Sequence, residues 1–183
     1  MTLPVRVLCV CSHNRTRSVL AGALLGEHCH LVGLASQVTT AGTLEGGYAP
    51  TSQTVQLLSQ RGVDVEGYRS RVVTNELVKE ADLVITAERS HVVWIAGLWP
   101  DAFATTFALP EIVARAEAAG PRNGRPFAEW LASVGQGRKR GLDYIEAADF
   151  ADVADPTGLG SNEWAQAVAR IDHLTRRLAQ VLK

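Results

Sequence analysis

Strand-like and helix-like segments alternate along this 183-residue chain, which predicts an α/β fold built on a parallel sheet. Two observations sharpen that expectation. A β-branched apolar run, Val5 to Val10, leads straight into Cys11 and a short polar loop. A second run ends in Thr40-Ala41-Gly42. Both therefore place small or polar groups at the carboxyl ends of strands, where open parallel sheets bind their ligands.

In chain order, strands are expected near 5–10, 38–42, 82–86 and 103–107. Helices are expected at about 17–30, 51–61, 74–80, 89–98, 109–119, 125–134 and 162–181. Thr74 stands as a cap before Leu77 and Val78. Ser161 precedes Trp164, Val168, Ile171, Leu174 and Leu178, an apolar stripe at helical spacing. Gly120-Pro121-Arg122-Asn123-Gly124 and the stretch from Gly135 to Gly141 read as loops inside one domain spanning 1–183, since neither flank is domain-sized.

The composition is that of an ordinary globular protein, with 46% apolar and 20% charged residues. A formal net charge of −1 gives no reason to expect a nucleic-acid binder. The basic residues are 15 Arg and 3 Lys. No run approaches the ~20 apolar residues of a membrane span. The apolar N-terminal run is too short for a secretory signal, and three cysteines at 9, 11 and 29 make no disulfide scaffold, so a reducing cytoplasm is expected.

The segment Cys11-Ser12-His13-Asn14-Arg15-Thr16-Arg17-Ser18 carries the chemistry. Residues Ser12 to Arg17 can curl so that successive N–H groups converge on one anion, as nests and helix N-termini do. Asn14 tolerates the left-handed backbone that so tight a loop needs. Arg17 can hold two phosphate oxygens with its planar fork. The same field favours a thiolate at Cys11, and the Ser18 hydroxyl can donate to that sulfur. A soft nucleophile beside an oxyanion cradle suits attack on a phosphate ester.

Cys11, five intervening residues, Arg17 and Ser18, set directly after the first strand, resemble the low-molecular-weight protein tyrosine phosphatase family. Thr40-Ala41-Gly42-Thr43, Arg61-Gly62-Val63-Asp64, Arg69-Ser70-Arg71, Ala81 to Thr86 and Asp155-Pro156 follow in the family's order. The likeness covers most of 5–107 and 152–182. It implies a three-layer, doubly wound, four-stranded parallel sheet in the order 2-1-3-4, with a helical insertion at about 108–150. It also implies a metal-independent, cofactor-free hydrolase acting on phosphorylated protein or a small phosphomonoester. Cys11 would be the nucleophile and Arg17 the phosphate ligand, with the loop Ser12 to Ser18 around the anion.

Asp155 is the expected general acid and base. Pro156 restricts it to an extended backbone. Asp149 and Asp152 stand at three-residue spacing before it and would serve if the alignment slipped. The Asp-Pro pair selects Asp155.

Several positions depart from the family pattern. His13 replaces a small loop residue, and Thr16 replaces the second cysteine that gives family members a protective disulfide. Cys9 cannot substitute, because an i,i+2 disulfide on a strand is badly strained, and Cys9 and Cys29 read as buried small apolar residues. Arg15 stands where tyrosine phosphatases favour Ile and arginine phosphatases Thr; it either reaches a second acidic group on a substrate or is a solvated loop charge. Tyr68 takes the place of a loop-supporting His. Thr157-Gly158 replaces the usual Tyr pair, and Gly46-Gly47 an aromatic, leaving Tyr48 as the candidate wall. Arg15, Tyr48 and Thr157 are thus the expected pocket residues.

Phe127, Trp130 and Leu131 read as core of an added helical hairpin, and Arg138-Lys139-Arg140 as a solvated basic loop or a docking patch for acidic partners. His28-Cys29-His30 is no metal cluster, because helix neighbours point ~100° apart. Trp94 and Trp99, with Val92, Val93, Ile95 and Leu98, read as core. Phosphotyrosine hydrolysis leads; a protein-arginine phosphatase, an arsenate reductase and an oxyanion-binding module that has lost turnover stay open.

Overall fold

The computed structural model describes residues 3–146 and 150–183. Four strands, β1 (Val5–Cys11), β2 (Ser36–Gly42), β3 (Leu83–Thr86) and β4 (Thr106–Ala108), form one parallel sheet in the order β2-β1-β3-β4. Between and after them run α1 (Arg17–Leu31), α2 (Ser52–Gln60), α3 (Asn75–Glu80), α4 (Arg89–Leu98), α5 (Leu109–Ala119), α6 (Phe127–Val134), α7 (Leu142–Glu146) and α8 (Ser161–Leu182). The expected three-layer, doubly wound sheet is what the chain builds.

β1 is buried on both faces, so it reads as a continuous apolar run rather than an alternating one. Val7, Cys9 and Cys11 point into the larger core, shared with α1, α5, α6 and α8. Leu8 and Val10 point the other way, toward Val78 of α3 and Ile95 of α4. The stripe foreseen in α8 supplies Ile171, Leu174 and Leu178 as buried residues, with Trp164 and Val168 packed beside them. Thr74 caps α3, accepting from Leu77 N at 3.4 Å. Among the described residues, no helix is long and apolar enough to cross a membrane.

Four expectations are corrected. The strand foreseen at 103–107 is a 3₁₀ turn, Pro100–Ala104, followed by a three-residue β4. Pro100 starts that turn, and Phe103 is buried from it rather than from the sheet. Trp94 and Leu98 are 39% and 54% exposed, so the outer face of α4 is apolar and only Val92 and Ile95 are fully buried. α7 had no apolar period long enough to announce it.

Arg138 is the fourth correction, since its side chain is only 2% exposed. Its guanidinium bonds Glu111 Oε1 at 2.7 Å and the carbonyls of Phe103 and Thr106 at 2.6 and 2.7 Å. It also lies 3.8 Å from the Phe107 ring centroid and 4.2 Å from that of Phe103. Glu111, itself buried at the start of α5, further accepts from Ala108 N and the Tyr144 hydroxyl. Burial, then the Glu111 charge, raises the Tyr144 pKa, so this phenol stays neutral and donates. Loop 135–141, β4, α5 and α7 are thereby pinned at one point. Lys139 and Arg140 remain exposed. Trp130, fully buried, donates from Nε1 to Gly120 O at 2.9 Å, and Leu131 is buried beside it.

Removing one partner of a buried ion pair leaves the other charge uncompensated, at about 3–5 kcal/mol. Arg138→Ala should lower unfolding free energy by that order in chemical denaturation. Lys139→Ala, on the exposed side of the same loop, should stay within about 0.5 kcal/mol of the parent.

Candidate active site

The site lies beyond the carboxyl ends of β1 and β3. β1 ends at Cys11, whose residue is buried, and the chain turns through Ser12 to Thr16 before α1 starts at Arg17. The turn is anchored at Asn14, which takes φ 52° and is fully buried. Gly42, at the end of β2, permits this packing: a Cβ there would fall 2.6 Å from Ser12 O and 3.0 Å from Asn14 N. The chain continuing from β2 then closes over the loop, with Thr43 N donating to Cys11 O and Leu44 N to Ser12 O.

The Asn14 side chain orders the protons around the sulfur. Its Oδ1 accepts from the Tyr68 hydroxyl and from Arg71 N at 3.1 Å. Its Nδ2 donates to Ser18 Oγ at 2.9 Å and to Thr40 Oγ1 at 3.0 Å, and Thr40 Oγ1 lies 2.6 Å from the Tyr68 oxygen. An amide N–H can only donate. Ser18 Oγ therefore accepts from Asn14 and turns its own proton toward Cys11 Sγ, 3.1 Å away. Asn14 N also donates to that sulfur at 3.3 Å. Tyr68 thus holds the loop through its hydroxyl in the place where the family resemblance implies a His.

α1 offers its positive end to the same space. Its N-cap residue, Thr16, makes no side-chain cap bond, and its first turn holds no acidic residue. The Thr16 hydroxyl instead meets Thr51 Oγ1 at 3.2 Å and Thr157 Oγ1 at 3.5 Å.

Arg17 is 3% exposed and bonded on three sides. Nη1 donates to Val153 O at 3.1 Å and to a Glu88 carboxylate oxygen; Nη2 donates to Asp155 Oδ2 at 3.0 Å. Asp155 also accepts from Thr157 N at 3.0 Å. Partial burial opposes ionisation of Asp155, but the bonds from Thr157 and the charges of Arg17 and His13 outweigh it and hold the carboxyl below its ordinary range. Glu88 behaves alike: burial opposes its charge, and Arg17 overrides it.

Asp152 is turned to Arg89 and not to Arg17. It accepts from Arg89 N at 3.1 Å and Arg89 Nε at 3.2 Å, capping α4. The third candidate, Asp149, lies outside the described residues. Glu88 escaped sequence reading altogether; its place two residues past the end of β3, at a strand's carboxyl end, is the signal that marks it.

The remaining expected residues fall around the loop. His13 is exposed at its tip. Arg15 donates from Nε to Ala49 O at 2.7 Å, and its guanidinium lies 5.7 Å from the Tyr48 ring centroid, so it is tethered rather than freely solvated. Thr157 stands beside Thr16 and next to Asp155. Cys9 is buried and its thiol is pushed up to about 12 by that burial; burial raises Cys29 as well. His28 is tied to Asp172 Oδ1 at 3.0 Å, across α1 and α8, while His30 is exposed.

Residues 6–117, more than half the chain, match the family described as low molecular weight phosphotyrosine protein phosphatase. A probable low molecular weight protein-tyrosine-phosphatase, EpsP of Ralstonia solanacearum, is 30% identical over 106 residues, covering 58% of this chain and 71% of its own. A low molecular weight protein tyrosine phosphatase from T. tengcongensis superimposes with a TM-score of 0.72 at 22% identity, over 97% of this chain and 99% of its own. The YwlE arginine phosphatase of Geobacillus stearothermophilus gives 0.67 at 24% identity, over 96% and 91%. These two structures share the fold. Cys11, Arg17 and Glu88 lie within the matched segment and Asp155 beyond it. The chain belongs to the low molecular weight phosphotyrosine protein phosphatase family.

Proposed function

We propose that this phosphatase hydrolyses protein phosphotyrosine through a phosphocysteine. The observation that carries the reading is that one turn after β1 holds the Cys11 sulfur with its two donors beside the uncapped start of α1, and that this same helix start carries Arg17, whose guanidinium bonds Asp155. Cys11 Sγ attacks phosphorus and the bond to the leaving oxygen breaks, with a proton passing from Asp155 to that oxygen. Water then attacks phosphorus and gives its proton to Asp155, the P–S bond breaks, and the thiolate returns to the Ser18 hydroxyl. Arg17, the loop N–H groups and the helix terminus hold the equatorial oxygens throughout.

Asp155 is ionised when Arg17 is its partner, whereas leaving-group protonation needs it neutral. The incoming phosphoryl group resolves this. A dianion on Arg17 displaces the Asp155 carboxylate from its counter-ion and sets a like charge beside it, and both changes raise its pKa. Substrate therefore recruits the proton it will use. Glu88 keeps Arg17 oriented while Asp155 lets go.

The walls favour an aryl group over a guanidino group. Tyr48 offers an aromatic face, and the tethered Arg15 beside it sets a fixed cation where a substrate guanidinium would be repelled. Thr157, beside Thr16 and Asp155, is the other lining residue.

Cys11→Ser should abolish turnover of an aryl phosphate while retaining the native fold by circular dichroism. Asp155→Ala should cost about 10²–10⁴ in kcat on an alkyl phosphate, the usual scale of general acid catalysis. On a substrate with a weakly basic phenol as leaving group the loss should be much smaller; equal losses on both would remove Asp155 from the role of acid. Titration calorimetry with sulfate, a dianion that does not itself titrate, should show proton uptake at mildly acidic pH in buffers of differing ionisation enthalpy. Asp155→Asn should abolish that uptake.

A further inference from the structure

His91, in the first turn of α4, is buried and reaches the phosphate-binding loop at Ser12. Its Nε2 lies 3.0 Å from Ser12 Oγ, and Ser12 is the residue that follows the nucleophile. No partner among the described residues meets Nδ1. Burial lowers the His91 pKa, with Arg17 acting in the same direction and Glu88, Asp152 and Asp155 opposing, so the ring is neutral and carries one N–H.

That single proton has two possible seats. On Nδ1 it would be a buried donor with no acceptor among the described residues, while Ser12 donated to Nε2. On Nε2 it bonds Ser12 Oγ and leaves only a lone pair unmatched at Nδ1. Orphaned buried N–H groups are the rarer and costlier fault. The Nε2–H tautomer is therefore favoured, and it makes Ser12 Oγ an acceptor on its buried side. Ser12 is partly exposed where His91 is not, and its carbonyl is already engaged by Leu44 N at 2.9 Å. The hydroxyl proton is left to face the open site.

We infer that His91 is a positioning residue for phosphoryl binding: it holds the Ser12 hydroxyl so that the Ser12 proton donates to a phosphoryl oxygen. It does for Ser12 what Asn14 does for Ser18. Both residues fix a serine as acceptor on one side and thereby aim its proton inward, Ser18 at the sulfur and Ser12 at the anion. This inference rests on the reading of the loop as an oxyanion site.

The test is calorimetric titration of the full chain with inorganic phosphate, alongside ¹⁵N NMR of the histidine rings. His91→Leu should raise the phosphate Kd by about tenfold or more, the scale of one hydrogen bond to a charged group. Ser12→Ala should do the same, and the double variant should add little to either. His91→Gln, whose amide nitrogen can stand where Nε2 stands, should recover most of the affinity. The spectrum should show Nδ1 as the unprotonated nitrogen, a readout that a merely structural role would leave undetermined. An unchanged Kd in Ser12→Ala, additive losses in the double variant, or a proton on Nδ1 would each overturn the inference while leaving the phosphatase reading intact. Failure of the unmodified chain to bind phosphate would overturn that reading itself.

Discussion

A single buried guanidinium, that of Arg17, organises this molecule's chemistry. It stands at the first position of α1, on the loop that β1 delivers, and its donors reach the β3–α4 connection through Glu88 and the segment before α8 through Val153 and Asp155. Three stretches far apart in the chain meet there. Full burial of a cation demands such compensation. The arrangement supplies it with two carboxylates that a bound anion can partly replace. In the reaction proposed above, that compensation is also the binding event: a phosphoryl group taking its place on Arg17 would deprive Asp155 of its counter-ion and make it a proton donor. The acid loop is held ready by separate bonds, Val153 N to Ala87 O at 3.0 Å and Asp152 to Arg89, so Asp155 can release Arg17 without leaving the site.

Around that cation the structure controls the direction of protons as closely as the position of atoms. Amide groups have donors and acceptors that cannot exchange, whereas hydroxyls take whichever role is left. Asn14, fixed by Tyr68 and Arg71, determines which way the Ser18 hydroxyl points, and so gives Cys11 a donor rather than a competing lone pair. The left-handed backbone at Asn14 and the missing Cβ of Gly42 are the steric conditions for that bonding.

The segment after β4 has a different logic. Glu111 and Arg138 lie buried together, with aromatic rings stacked on the guanidinium, far in sequence from the catalytic loop. They clamp loop 135–141 onto β4 and the start of α5, and the Tyr144 hydroxyl adds α7 to the same node. Arg89 then bridges this region to the acid loop, bonding Ile145 O at 2.8 Å and Asp152. The segment after β4 and the loop before α8 therefore share one arginine as their common support.

Local pattern alone determined the fold class, the strand that delivers Cys11, the loop and the start of α1, because each is written in a few contiguous residues: a β-branched run, a turn-tolerant Asn, an Arg-Ser at a helix start. The buried stripe of α8 and the Thr74 cap were legible for the same reason, a short-range period or a single side-chain bond. Tertiary structure decided what depends on distant partners. A basic run such as Arg138-Lys139-Arg140 carries no mark of which residue is buried; Glu111 and two phenylalanines settle that. Helical spacing in α4 gives a period but not which neighbours exist to cover it, so Trp94 and Leu98 stay on an uncovered face. Among the aspartates at 149, 152 and 155 only the proline after Asp155 sets one apart along the chain, and it is the return of the last loop to β1 and β3 that gives Asp152 to Arg89 and Asp155 to Arg17. Glu88 and His91 became functional candidates for one physical reason: charge pairing and proton direction are properties of the meeting of β1 and β3, and neither strand's sequence contains the other.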